Sequence, residues 1–307
     1  MRVISKHRTR FREAEYGFTR DQRLEKDMTV CLAALFTWNY AKKGDPVDLG
    51  IAAITASDRQ ITVGDSEYEP PQPKFTSVTD QTRILIAGDY TVHSEAIKAT
   101  MDQVRADPSR TPYNIALTYG AAIQAVRRRH AEAMFLAPIG LNTDTLVAQQ
   151  KDLSDGYTIH LTTQMQEYEG SDVQAIVVGM EDGNAHLYVV DKMGAVRSFD
   201  DVGFAAIGIG SWHARSRFML RRYVKSSVFA EAAITVFAAK AAAEVSPGVG
   251  RTTDFDMILR FGAFPLWPKV KDKVKELYDL AEAQKARLET QTVDDLQAFI
   301  NDPKNHT

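Results

Sequence analysis

Four residues in the first third of the chain have types that could share one reaction: Thr29, Asp58, Lys74 and Gly88. A threonine hydroxyl is a weak nucleophile until a neighbouring base takes its proton. If Thr29 is a first residue, its own α-amine can be that base, since an unperturbed α-amine titrates at about 7.7–8.0. That state requires translation from Met28 with removal of the methionine, or cleavage after Met28. With residues 1–28 attached, Thr29 has no free amine and is inert by this mechanism. Taken singly, a threonine at the head of an apolar run is a strand residue, Asp58-Arg59 a surface pair, and Lys74 a solvated cation. Only the ordered set points to chemistry.

Other patterns carry less. Gly208-Ile209-Gly210 follows an apolar strand and precedes a helix, as a dinucleotide loop does, but the third glycine of that pattern would fall on His213 and no βαβ unit surrounds it. The seven histidines show no ligand spacing with one another or with Cys31, so no metal site is expected. Arg127-Arg128-Arg129-His130 reads as a solvated helix face or a subunit contact. Cys31 shares the pleat face of Thr29, and a buried core thiol is its simplest role.

The elements that must position these residues follow from periodicity. Apolar, β-prone runs at 29–38 and 48–58 read as strands joined by the turn-rich stretch 39–48. Prolines force an irregular loop at 69–73, and RILIAG at 83–88 is a further strand. Helical spacing then runs over 89–105 and 112–135, the second with a proline near its start. Strands are expected at 157–165, 173–180 and 185–191, the last two joined by the hairpin turn EDGN, and again at 195–199 and 203–210. Two helices, 211–224 and 226–245, precede a last strand at 255–262. Strand runs separated by helix pairs predict an α+β protein with two mainly antiparallel sheets stacked face to face and a helix pair outside each, a four-layer α/β/β/α sandwich. From Pro268 onward Val274, Leu277, Ala281 and Leu288 make a narrow apolar seam on a charged helix, interrupted by Gln284.

The division expected is an N-terminal arm, a pro-segment or a mis-assigned start at 1–28, a domain at 29–265, and a helical tail at 266–307. Of 307 residues 44% are hydrophobic and 25% charged, enough apolar material for a sizeable core without a metal or disulfide staple. The net charge of -3 argues against a nucleic-acid footprint. The alanine-rich stretch 228–245 carries Glu231 and Lys240, so it reads as a buried helix and no membrane partner is expected. A single cysteine fits a reducing compartment, and residues 1–28 lack the apolar core of a secretory signal, so a cytoplasmic protein is expected.

Thr29, Ser57-Asp58-Arg59, Lys74 and Ala87-Gly88 resemble the successive signatures of the proteasome β-subunit family and its bacterial relatives. The intervals of sixteen residues from Asp58 to Lys74 and fourteen to Gly88 match that family's acid, lysine and glycine. VQAIVVGMEDGNAHLYVVDKMGAVRSFDDVGFAAIGIGSWHA is similar to its long central hairpin, glycine-rich turn and helix. Met28-Thr29-Val30-Cys31 resembles the bacterial ancestral-β-subunit branch, and the likeness covers about 29–262. It implies the N-terminal-nucleophile (Ntn) hydrolase fold and a threonine-type peptidase working through an acyl-enzyme on Thr29. Lys74 would sit beside Thr29 as an ammonium, Asp58 would hold Lys74, and the Gly88 N–H would receive the oxyanion. No metal or organic cofactor is implied. The implied partners are a peptide or protein substrate and further copies of the chain in rings or stacked rings. No ATPase partner is visible.

Two positions depart from the family pattern. Ile209 stands where the glycine-rich turn usually holds a serine, and Ser211, two residues on, is a further catalytic candidate. Glu244-Val245-Ser246-Pro247-Gly248 replaces the later acid and serine: either Glu244 stands for the acid with Pro247 in the serine's place, or Ser246 is the serine one position out of register. The alternative function is therefore a catalytically silent structural subunit of a ring assembly.

Overall fold

The computed structural model describes residues 29–41, 46–63, 66–69, 73–168 and 170–302. The expected N-terminal arm lies outside these residues, as do parts of the turn at 39–48 and of the loop at 69–73.

The chain opens with β1 (Cys31–Asn39) and β2 (Leu49–Asp58), paired antiparallel from Cys31↔Ser57 to Asn39↔Leu49. A short pair, β3 (Ile61–Val63) and β4 (Ser66–Tyr68), precedes β5 (Phe75–Thr79) and β6 (Thr82–Gly88). Helices α1 (Tyr90–Ala106) and α2 (Pro112–Ala131) follow, each started by a capping side chain: Asp89 accepts from Thr91 N–H and Thr111 from Asn114 N–H. A π turn and a 3₁₀ turn lead to α3 (Thr143–Gln149) and α4 (Asp155–Glu167).

The strand expected at 157–165 is therefore helical. Tyr157, Leu161 and Met165 are four residues apart as well as two-periodic, and tertiary packing selects the helix. Leu161 is buried with Leu136 and Leu146, and Met165 packs beside them.

β7 (Val173–Glu181) and β8 (Asn184–Val190) form the expected hairpin, turned through Asp182 and Gly183 at φ 48° and 78°. Both central residues are left-handed, as a two-residue turn matched to strand twist requires. β9 (Val196–Ser198), β10 (Phe204–Ile207), α5 (Ser211–Leu220), α6 (Phe229–Ala243), β11 (Thr253–Leu259), β12 (Gly262–Pro265) and α7 (Pro268–Asn301) complete the order.

Two five-stranded sheets result, β10-β1-β2-β11-β12 and β5-β6-β7-β8-β9, with every neighbouring pair antiparallel. The protein is thus α+β with two antiparallel sheets, and strand alternation assigns its layers. In and just before β1 the even residues Val30, Leu32, Ala34 and Phe36 pack with Phe218 of α5 and Ala232, Val236 and Ala239 of α6. The odd residues Cys31, Ala33 and Leu35 face the second sheet, meeting Leu85, Ile176, Val178 and Leu187. On that sheet's far side Ile84, Val173, Ala175, Val177 and Tyr188 pack under α1 and α2.

The expected tail is the single helix α7. Its first turns are anchored by Val270 and Val274 and by Tyr278, whose ring centroid is 5.2 Å from that of Phe237. Further along, Leu277 and Leu288 of the seam are exposed.

Candidate active site

Sheet packing brings the side chains of three of the four singled-out residues into direct contact. Thr29 lies just ahead of β1, Asp58 ends β2, and Lys74 immediately precedes β5. Antiparallel pairing of β1 with β2 puts the head of one beside the tail of the other, so residues 29 and 58 meet although 29 positions separate them. The second sheet supplies the lysine: Ile86 N–H of β6 donates to the Lys74 carbonyl at 3.3 Å.

The Thr29 hydroxyl donates to Asp58 Oδ1 and accepts from Lys74 Nζ at 2.5 Å, while Lys74 Nζ also lies 3.1 Å from Asp58 Oδ1. Asp58 is fully buried, and a buried carboxylate must have its lone pairs satisfied. Val30 N–H donates to Oδ1 at 3.2 Å and Gly250 N–H to Oδ2 at 2.8 Å. Donors from both sides of the carboxylate thus hold it. Arg59 turns away and makes a bidentate pair with Asp254 at 2.5 and 2.7 Å. Thr29 itself is 3% exposed.

Gly88 ends β6 at φ +116°, where a Cβ would meet the Asp172 carbonyl oxygen at 2.2 Å, so glycine is demanded by the backbone alone. Its placement relative to Thr29 is indirect. Cys31 Sγ lies 3.2 Å from Ile86 O, and two residues along each strand from that contact stand Thr29 and Gly88. Cys31 is a core residue, its thiol pushed up to about 12 by burial and then by the Asp58 charge, so it is not a thiolate nucleophile.

The glycine-rich turn grips the backbone of Thr29. Gly208 has φ +85° and would carry a Cβ only 2.3 Å from Thr29 O, and Gly210 N–H approaches the same oxygen at 3.5 Å. Ile209 between them is exposed. Ser211 begins α5, its N–H bonded to Gly208 O at 3.0 Å. Ser246 lies in the turn after α6, its N–H bonded to Ala243 O at 3.0 Å. Among the described residues no side-chain hydrogen bond of Thr29, Asp58 or Lys74 goes to Ser211 or Ser246. Glu244 caps α6 and accepts from Lys240 Nζ at 2.8 Å, with Lys240 and Gly250 standing between it and Asp58.

Two groups of the site's surroundings escape sequence reasoning. Lys240 is 2% exposed and donates to the carbonyl of Gly250, the residue whose N–H reaches Asp58. A lone cation inside an alanine-rich helix was the available signal. Gly250 had none: a Cβ there would meet Glu69 Oε1 at 2.5 Å and Gln60 Cβ at 2.8 Å.

Among the described residues no three His, Cys, Asp or Glu side chains cluster as a metal site, and no helix is long and apolar enough to cross a membrane. Arg127 is bound to the carbonyls of Lys192 and Tyr168, each at 2.9 Å, so part of the arginine run staples loops. Compared with known proteins, the chain matches no family model and no curated protein.

Proposed function

We propose that the chain is a threonine-type amide hydrolase of the N-terminal-nucleophile class, with a fold of the proteasome β type, cleaving peptide bonds through an acyl-enzyme on Thr29. The observation that carries this reading is the three-way contact of Thr29 Oγ1, Lys74 Nζ and Asp58 Oδ1. The ordered antiparallel sheets and the glycine turn clamped on Thr29 O add to it.

In a form beginning at Thr29, the α-amine takes the Oγ1 proton as the oxygen bonds to the substrate carbonyl carbon. Lys74, 2.5 Å from that oxygen, stabilises its developing negative charge, and Asp58 fixes the ammonium there. The Gly88 N–H receives the carbonyl oxyanion. Collapse breaks the C–N bond, the departing amine takes the proton held by the α-amine, and an ester on Thr29 remains. Water, giving a proton to the α-amine, then adds to the ester carbonyl; the C–Oγ1 bond breaks, Oγ1 takes that proton back, and the acid leaves. The reading carries homo-oligomeric rings and a cytoplasmic setting with it, the first checked by solution mass at micromolar concentration.

The second reading is a catalytically silent ring subunit. Ile209, which puts no hydroxyl between the glycines at Thr29, and Pro247 favour it. Intact-mass and N-terminal analysis of protein from its native host, with β-lactone labelling, separates the two. The enzyme predicts a form starting at Thr29 that labels on that residue, and loss of about a hundredfold or more in rate for Lys74→Ala. A stable form starting at Met1, unlabelled, sinks the enzyme reading.

A further inference from the structure

We infer that His93 and Tyr119 position the Gly88 N–H and strengthen it as a donor by loading the carbonyl end of the same peptide unit. The inference rests on the reading of Gly88 as the oxyanion donor.

Both side chains are buried, between the second sheet and the helices α1 and α2. His93 Nε2 lies 2.9 Å from Ala87 O, and His93 Nδ1 contacts the Tyr119 hydroxyl. A carbonyl oxygen only accepts, so Nε2 carries the proton. Burial holds the ring neutral, its pKa lowered to about 4, so Nδ1 is a bare acceptor and the Tyr119 O–H donates to it. The chain of donors thus runs Tyr119 O–H, His93 Nε2–H, Ala87 carbonyl. That carbonyl and the Gly88 N–H belong to one peptide.

Hydrogen bonds in series polarise one another, and loading a carbonyl makes the N–H across its peptide a better donor. Position matters as much. Gly88 has no Cβ to restrict its backbone, and beyond the pairing of Ala87 and Gly88 with Gln174 and Val173 of β7 the peptide between them gains a further hold when a side chain binds its oxygen. His93 does so from the first turn of α1, where its own N–H is bonded to Asp89 O at 3.1 Å. A packing role alone does not call for these groups, since Val92, Ala96, Ile115 and Ile123 make an apolar cluster there, whereas this polar pair is hydrogen-bonded to one particular carbonyl.

The test uses protein beginning at Thr29, with two probes for that residue. A β-lactone acylates the hydroxyl through a carbonyl oxyanion; a peptide vinyl sulfone adds the hydroxyl across a carbon–carbon double bond and forms no such oxyanion. For His93→Leu we expect the β-lactone rate to fall at least about tenfold while the vinyl sulfone rate stays within about twofold. His93→Gln, which keeps an N–H for Ala87 O, recovers most of the loss, and Tyr119→Phe lowers the ratio of the two rates part of the way. The phenylalanine variant removes one oxygen and keeps the test open should the leucine variant fail to fold. Equal losses on both probes, or a ratio unchanged from wild type in folded Tyr119→Phe, overturn the relay while leaving Thr29 a nucleophile. Wild-type protein inert to both probes overturns the parent reading and this inference with it.

Discussion

The ammonium of Lys240 sits 2.7 Å from the carbonyl oxygen of Gly250, whose N–H donates to Asp58 Oδ2 at 2.8 Å. One residue thereby transmits the position of a buried lysine on α6 to the carboxylate that contacts Thr29 and Lys74. Lys240→Met fills the same space but leaves the Gly250 carbonyl without this donor. The expected loss is about 1–3 kcal/mol of stability, seen as a lower urea midpoint at unchanged slope. Labelling of Thr29 should slow in the same variant under conditions where it is fully folded. An unchanged labelling rate would detach Lys240 from the site.

Gly208 presses on Thr29 from the other side. Alanine there must adopt φ +85° and push its Cβ to within 2.3 Å of Thr29 O. We expect Gly208→Ala to cost about 1–3 kcal/mol in strain and to displace the backbone of Thr29. Gly140 is the control: it too is left-handed, at φ +76°, but a Cβ there meets nothing within 4 Å. Gly140→Ala should therefore cost less and leave Thr29 labelling untouched. Equal effects on labelling from both variants would refute the contact.

His93 gives the acid limb of stability a definite sign. Burial, first, lowers its pKa from 6.5 to about 4, against smaller opposing effects of the Ala87 hydrogen bond and the Asp89 charge. Between these values the unfolded chain takes up a proton that the folded chain refuses. The histidine's contribution is therefore complete above pH 6.5 and falls as pH drops toward 4. A displacement of that size corresponds to roughly 3 kcal/mol. His93→Gln cannot titrate, so its unfolding free energy should be flatter over that range in denaturant titrations. A wild-type acid limb of undiminished steepness in the variant would mean that other groups carry it.

Much of the frame was legible because local pattern and packing agree. In β1 and β2 the alternation of side chains corresponds to two different apolar contacts, and EDGN carries residues that tolerate the left-handed turn. The segment 157–165 is ambiguous in sequence because a short run with four-residue spacing satisfies either period, and only its contact with Leu136 and Leu146 chooses. β12 has no sequence signal because four residues after a turn leave no period to count; it exists by pairing with β11. Within the site, Thr29, Asp58 and Lys74 stood out together only through the resemblance of their order and intervals to a known family pattern, as did Ser211, Ser246 and Glu244; the first three touch, while Glu244 accepts from Lys240 instead. Lys240 showed itself as an isolated charge, but its target did not. His93 and Tyr119 gave no signal, being a single histidine and a single tyrosine 26 residues apart.

By itself the sequence determined where most of the apolar segments lie, where several of the turns fall, and which residue types could do chemistry. Those properties depend on neighbours within a few positions and are written in local order. Only the tertiary structure decided that Thr29, Asp58 and Lys74 touch, that Gly250 joins them across 192 positions, and that Ala87 is held from α1. A hydrogen bond requires placement to within a few tenths of an ångström, and here that placement comes from the stacking of two sheets and their helices rather than from any stretch of chain.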